Sequence, residues 1–123
     1  MDPIQEQLLL RVFVDESDTW QGKSLSTALV EAAKGHGLAG ATVLRGVEGY
    51  GAHSRIHTTH LVDLSPNLPM IIEIFDTEAK VKAFLPVLDE MVREGLVTSE
   101  RVNVIFQGSR ADEAADPHRS DGE

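Results

Sequence analysis

Between Arg45 and His60 the chain reads RGVEGYGAHSRIHTTH, which concentrates glycine, histidine and arginine in an otherwise acidic and apolar sequence. Arg45 and Arg55 carry permanent planar cations whose donor forks suit a phosphate or a carboxylate, although acidic surface neighbours would satisfy them equally. His53, His57 and His60 are titratable groups and potential metal ligands. His53 and His57 share a side of either a strand or a helix, whereas His60 falls opposite His57 on any regular strand. A three-histidine site therefore needs an irregular loop or a neighbouring subunit. Gly46, Gly49 and Gly51 lack a Cβ, so the backbone there can turn sharply or approach a ligand closely. A twisted hairpin that needs positive φ would use the same glycines. Their G-x-x-G-x-G spacing lacks the strand-to-helix setting of a dinucleotide fingerprint.

Catalytic arrangements are weak by comparison. Ser54, His57 and Asp63 are close in sequence but have no nucleophile elbow or oxyanion helix around them. Asp89 and Glu90 read as the solvated face of a helix. The expectation is a binding protein and not an enzyme.

A loop of this kind must be held by a scaffold, and the flanking pattern supplies one. Gln7 to Asp15, QLLLRVFVD, alternates as a strand with Leu8, Leu10, Val12 and Val14 on one face. The following ESDTWQGK has loop composition. Trp20 there either covers the edge of the core, or Glu16, Asp18 and Lys23 form part of a ligand rim. Ser24 fits an N-cap for a helix with Leu25, Ala28, Leu29 and Ala32 on its buried stripe, closed by Gly35 and Gly37. His36 in its last turn suits the negative end of the helix dipole.

A second strand, Ala39 to Val47, leads into the loop, and Arg55 to Leu64 reads as the returning arm of an extended hairpin. Leu68 to Asp76 is a third strand. Asp76 or Thr77 caps a second helix whose stripe is Val81, Phe84, Leu85, Leu88 and Val92. Pro86 predicts a kink or break near Lys82 to Leu85. After Gly95 a fourth strand runs from Val97 to Phe106.

Composition narrows the class. With no cysteine, disulfides, thiolate metal sites and cysteine nucleophiles are all excluded. A formal net charge of −9 argues against a protein that coats nucleic acid, since phosphate binding needs clustered Lys and Arg. No apolar run has the length of a membrane span, and MDPIQEQ is acidic where a secretory signal is basic, so a cytoplasmic protein without membrane insertion is expected. From Gly108 the chain turns acidic, with alanines as its apolar content, and reads as a disordered tail, 108–123. Residues 1–107 then form one domain.

The element order is β-α-β-β-α-β, an α+β, ferredoxin-like arrangement with two helices on one face of an antiparallel sheet. The other face would carry Leu9, Phe13, Ile71 and Phe75, more apolar surface than a monomer leaves open. A closed oligomer is expected to bury it.

On the segments ATVLRGVEGYGAHSRIHT, VDLSPNLPMIIEIFD and DESDTWQGKSL, the sequence resembles the PII-like signalling superfamily, specifically its domain of unknown function 190 branch. The glycine-aromatic-glycine turn Gly49-Tyr50-Gly51 matches the base of the long PII loop, and Val62-Asp63 to Phe75 matches its return into an apolar strand. The resemblance covers about residues 7 to 106.

It implies a homotrimer with the open sheet faces inward. It also implies a small anionic ligand, such as an adenine nucleotide, in the clefts between subunits. Arg45, Gly49, Tyr50, Gly51, His53 and Arg55 would be at that ligand, and loop 48–60 would control a transporter or enzyme partner. Where PII proteins continue with Arg-Gln-Lys this chain has Ala52-His53-Ser54, and in place of their Gly-Asp-Gly-Lys phosphate loop it has a single glycine, Gly95. Recognition of 2-oxoglutarate, and triphosphate binding in the PII manner, are therefore not carried over. Two other readings stay open. One is a metal-binding trimer resembling the CutA-type proteins, with His53 and His57 as ligands. The other is a scaffold that docks a partner without any small ligand.

Overall fold

The computed structural model of the protein describes residues 5–50 and 67–109. Its elements are β1 (Gln5–Asp15), β2 (Thr19–Trp20), β3 (Lys23–Ser24), α1 (Leu25–Gly35), β4 (Gly40–Arg45), β5 (Pro69–Asp76), α2 (Glu78–Met91) and β6 (Leu96–Val104). Four strands form one antiparallel sheet in the order β4-β5-β1-β6. The β-α-β-β-α-β order is therefore present, with β1 and β5 at the centre. The returning arm expected at Arg55 to Leu64 and most of the expected acidic tail lie outside the described residues.

The segment read as a plain connection after β1 contains a small hairpin, β2 with β3. Gln21 and Gly22 have φ of 47° and 86°. Two successive left-handed residues make the primed turn whose twist matches a two-residue hairpin. Only Gly22 advertised it, since glutamine rarely takes that conformation.

The core lies between the sheet and the helices. Leu8, Leu10, Val12 and Val14 of β1 and Ile72 and Ile74 of β5 are buried on one face, as their alternation predicts. Ser24 caps α1 by accepting the Thr27 N–H, and Thr77 caps α2 by accepting that of Lys80. The stripe of α1 closes on Ala33, and Ala32 is only half-buried.

On α2 the buried residues are Val81, Phe84, Leu88 and Met91. Leu85, expected among them, lies to the side and is 40% exposed. The expected break does not occur, because α2 is continuous through Pro86. Lys82 and Pro86 are both exposed, so the backbone bond that proline removes is lost where water can solvate the carbonyl.

The opposite face of the sheet has no helix. Leu9, Phe13, Ile71 and Phe75 are half-buried there, and Arg11 sits among them. Arg11 Nε donates to Glu73 Oε2 at 2.9 Å, from the residue directly opposite on β5. Its Nη1 donates to Glu100 on β6. These bonds, to Glu100 and then to Glu73, raise the Arg11 pKa above its ordinary value. The face is thus oily with one ion cluster near its middle.

Candidate functional site

β1 and β4 end, and β5 and β6 begin, at the same end of the sheet. Register aligns Arg45 with Met70 and Val14 with the same Met70, while Phe13 aligns with Leu96. The loop base after β4 and the turn before β6 therefore share one end of the molecule. They stand at opposite edges of a four-stranded sheet, about 14 Å apart from three inter-strand spacings.

The loop base is built around Pro69. The Gly46 N–H donates to the Pro69 carbonyl at 2.7 Å. A Cβ on Gly46 would come within 2.6 Å of the proline ring, and one on Gly49, whose φ is +157°, within 3.2 Å. A side chain on Gly46 would therefore force the proline to shift, and one on Gly49 would crowd the same ring. Tyr50, the next residue, is 74% exposed.

Arg45 ends β4 with its side chain 59% exposed, and its Nη2 lies 2.7 Å from Glu16 Oε2. Glu16 is fixed in turn, because its N–H donates to the Leu68 carbonyl at 2.8 Å. Of the suggested rim, only Glu16 reaches Arg45. Asp18 uses its carboxylate to accept the Asp15 N–H at 2.9 Å and its carbonyl to accept that of Leu25. Lys23 pairs with Glu31 at 2.7 Å. Trp20 packs against the core and, with Lys23, Glu31 and Met91, lines a cavity of about 300 Å³.

Gly51, His53, Arg55, His57 and His60 lie outside the described residues, so the pairing of Arg45 with Arg55 and the metal reading of His53 and His57 both fall there. Among the described residues there is no group of three or more His, Asp or Glu that could hold a metal. His36 caps α1 and packs its ring edge against Phe84 at 5.5 Å.

A second feature, at the turn where the resemblance places the PII phosphate loop, is a cavity of about 290 Å³ between α2 and β6 whose lining includes Leu85, Val92, Arg93, Glu94 and Val97. Gly95 is part of the lining, with φ +147°, and a Cβ there would collide with the Phe13 carbonyl. A lone glycine after a helix was the only local signal, and it reads equally well as a simple helix stop.

Strand order, two helices on one face and a loop leaving after β4 together define a ferredoxin-like fold of the PII-like type. The chain belongs to the DUF190 family, described as "Uncharacterized ACR", which it matches over residues 7–104. It is 40% identical over 103 residues to a UPF0166 protein of Aquifex aeolicus, an alignment covering 84% of this chain and 97% of the relative. A UPF0166 protein of Methanocaldococcus jannaschii is 33% identical over 90 residues, covering 72% and 82%.

Among solved structures the fold resembles CPII of Thiomonas intermedia K12, a nitrogen regulatory PII-like protein bound to ADP, AMP and bicarbonate. That match has a TM-score of 0.59 at 13% identity and covers 84% of this chain and 99% of the other. A Thermus thermophilus protein described as PII-like matches with a TM-score of 0.52 at 21% identity, covering 85% and 91%. Among the described residues no helix is long and apolar enough to cross a membrane.

Proposed function

We propose that the protein is a homotrimeric PII-like regulator that binds a small anionic ligand, an adenine nucleotide such as AMP or ADP, in clefts between subunits. Arg45 carries this reading: it is an exposed cation fixed at the root of a long loop, at the sheet end that also holds the α2–β6 cavity. Arg45 and that cavity stand at opposite edges of one sheet, so an adjoining copy can bring its cavity beside Arg45. The half-buried apolar face of the sheet supplies a reason for copies to associate.

CPII, which shares the fold, binds adenine nucleotides, and that is the analogy for the ligand. Arg55 would add a second cation, Tyr50 would stack or pack, and Gly49, Gly51 and His53 would let the backbone and an imidazole come near. Ligand binding would set the conformation of loop 48–60, which then meets a transporter or enzyme partner. The role is regulatory binding in the cytoplasm, without catalysis.

Titration calorimetry with AMP, ADP and ATP, alongside sedimentation of the same samples, tests this. Binding of one or more nucleotides by a trimer is expected, with loss of at least about tenfold in affinity in Arg45→Gln. Silence with all three nucleotides removes the ligand, and a monomer removes the clefts.

A further inference from the structure

We propose that Glu16 is a built-in competitor for Arg45: its carboxylate holds the guanidinium until an anionic ligand displaces it, so the site is closed by its own chain when empty of ligand. The inference rests on the ligand reading above, because it supposes that Arg45 is where the anion goes.

The contact itself is the first observation. Arg45 Nη2 is 2.7 Å from Glu16 Oε2, so the fork that would receive a phosphate already has a carboxylate at it. The second is how poorly Glu16 is satisfied in this position. Its Oε1 is buried and accepts no hydrogen bond from any described residue. Among the described residues this carboxylate has surrendered water on one oxygen and gained one ion pair on the other, and it is held weakly, since the desolvation of the first oxygen is not offset.

Third, Arg45 is 59% exposed and can be reached from solvent, and Glu16, at 32%, is near enough to the surface to swing out and be hydrated again. Exchange of partners needs side-chain rotation only. Both backbones are pinned to the start of β5, Glu16 N–H on the Leu68 carbonyl and Gly46 N–H on the Pro69 carbonyl.

A phosphate can engage both terminal nitrogens of Arg45 and brings more charge than one carboxylate, so it outcompetes Glu16 where a weak monoanion does not. Arg45 directly precedes Gly46, which is pressed on Pro69. The exchange therefore takes place beside the root of the loop while the backbone there stays anchored.

The experiment is calorimetric titration of AMP into the wild type, Glu16→Gln, Arg45→Gln and the double variant, each first shown by thermal melting to be folded. Glutamine keeps the shape of Glu16 and removes its charge. Glu16→Gln is expected to bind AMP about fivefold tighter, the scale of one exposed ion pair released. The double variant should bind as weakly as Arg45→Gln, because the gain acts through Arg45 alone. Equal affinity in wild type and Glu16→Gln overturns the competitor and leaves the ligand reading intact. Weaker binding in Glu16→Gln also overturns it, since Glu16 would then be a ligand contact. Binding by neither protein removes the ligand reading, and the competitor with it.

Discussion

Asp76 and Ala39, 37 positions apart, are joined by a hydrogen bond of 2.9 Å from the Ala39 N–H to Asp76 Oδ2. The other oxygen, Oδ1, accepts the Thr77 N–H at the start of α2. One buried carboxylate thus ties the entry of β4 to the exit of β5, and so positions the strand that carries Arg45. Asp76→Ala leaves two backbone donors without their acceptor and is expected to cost about 2–4 kcal/mol. Asp76→Asn retains one acceptor and should cost about half as much. Urea denaturation of the three proteins checks the order, and equal midpoints would contradict the role given to this side chain.

Gly95 meets two constraints at once, a φ of +147° and a Phe13 carbonyl that occupies the place of a Cβ. Any side chain there must displace the end of β1 or move the start of β6. Gly95→Ala is expected to lose at least about 2 kcal/mol of stability, whereas Gly35→Ala, which has open space around it, should fall within about 1 kcal/mol of wild type. Melting temperatures of the two variants give the comparison.

What could be read from the sequence was set by how local the signal is. Alternation in QLLLRVFVD and the helical spacing of Val81, Phe84 and Leu88 are consequences of element geometry, so the sheet, the helices and their order were visible, whereas Met91 closes the stripe where Val92 was expected. Caps at Ser24 and Thr77 were visible for the same reason. The side on which Leu85 falls depends on where α2 lies against the sheet, which is a tertiary fact. Contact of Gly46 with Pro69 joins the loop after β4 to the start of β5 and has no local trace. The exposed site cation, Arg45, stood out by its neighbours Gly46 and Gly49, but its partner Glu16 was only one acidic residue in a chain rich in them. Family resemblance supplied the expectation of a trimer and of a ligand class, neither of which periodicity could give.

Glu78 makes a small part of the stability sensitive to acid. Hydrogen bonds from Lys82, at 2.8 Å, and then from Arg101, at 3.0 Å, lower its pKa to about 2. A folded-state pKa below the unfolded value means the carboxylate stabilises the fold at neutral pH. That contribution is present above the ordinary carboxylate range and lost as pH falls from there toward 2. The group is exposed, so salt should screen much of the effect. Thermal melts of wild type and Glu78→Gln are expected to differ at about pH 7, converge as pH falls toward 2, and differ less in about 1 M salt. A gap that persists unchanged to low pH would show that packing, and not charge, separates the two proteins.

Arg11 decides whether the open sheet face can be buried. In one chain it is held by Glu73 and Glu100, with Leu9, Phe13, Ile71 and Phe75 around the cluster. If copies meet on this face, as proposed, the cluster is carried into a drier setting where every charge must keep its partner. Arg11→Met leaves Glu73 and Glu100 with no cation between them, and sedimentation is expected to show a smaller species than the proposed wild-type trimer at the same concentration. Removing the charges together should undo the damage, because a well-packed apolar or neutral set can replace a buried ion cluster at little cost. Arg11→Met with Glu73→Gln and Glu100→Gln is therefore expected to sediment as the trimer again, with far-ultraviolet dichroism unchanged throughout. If Arg11→Met alone remains as trimeric as the wild type, the subunits do not meet on this face, and the clefts assigned to the ligand must be formed by the sheet edges instead.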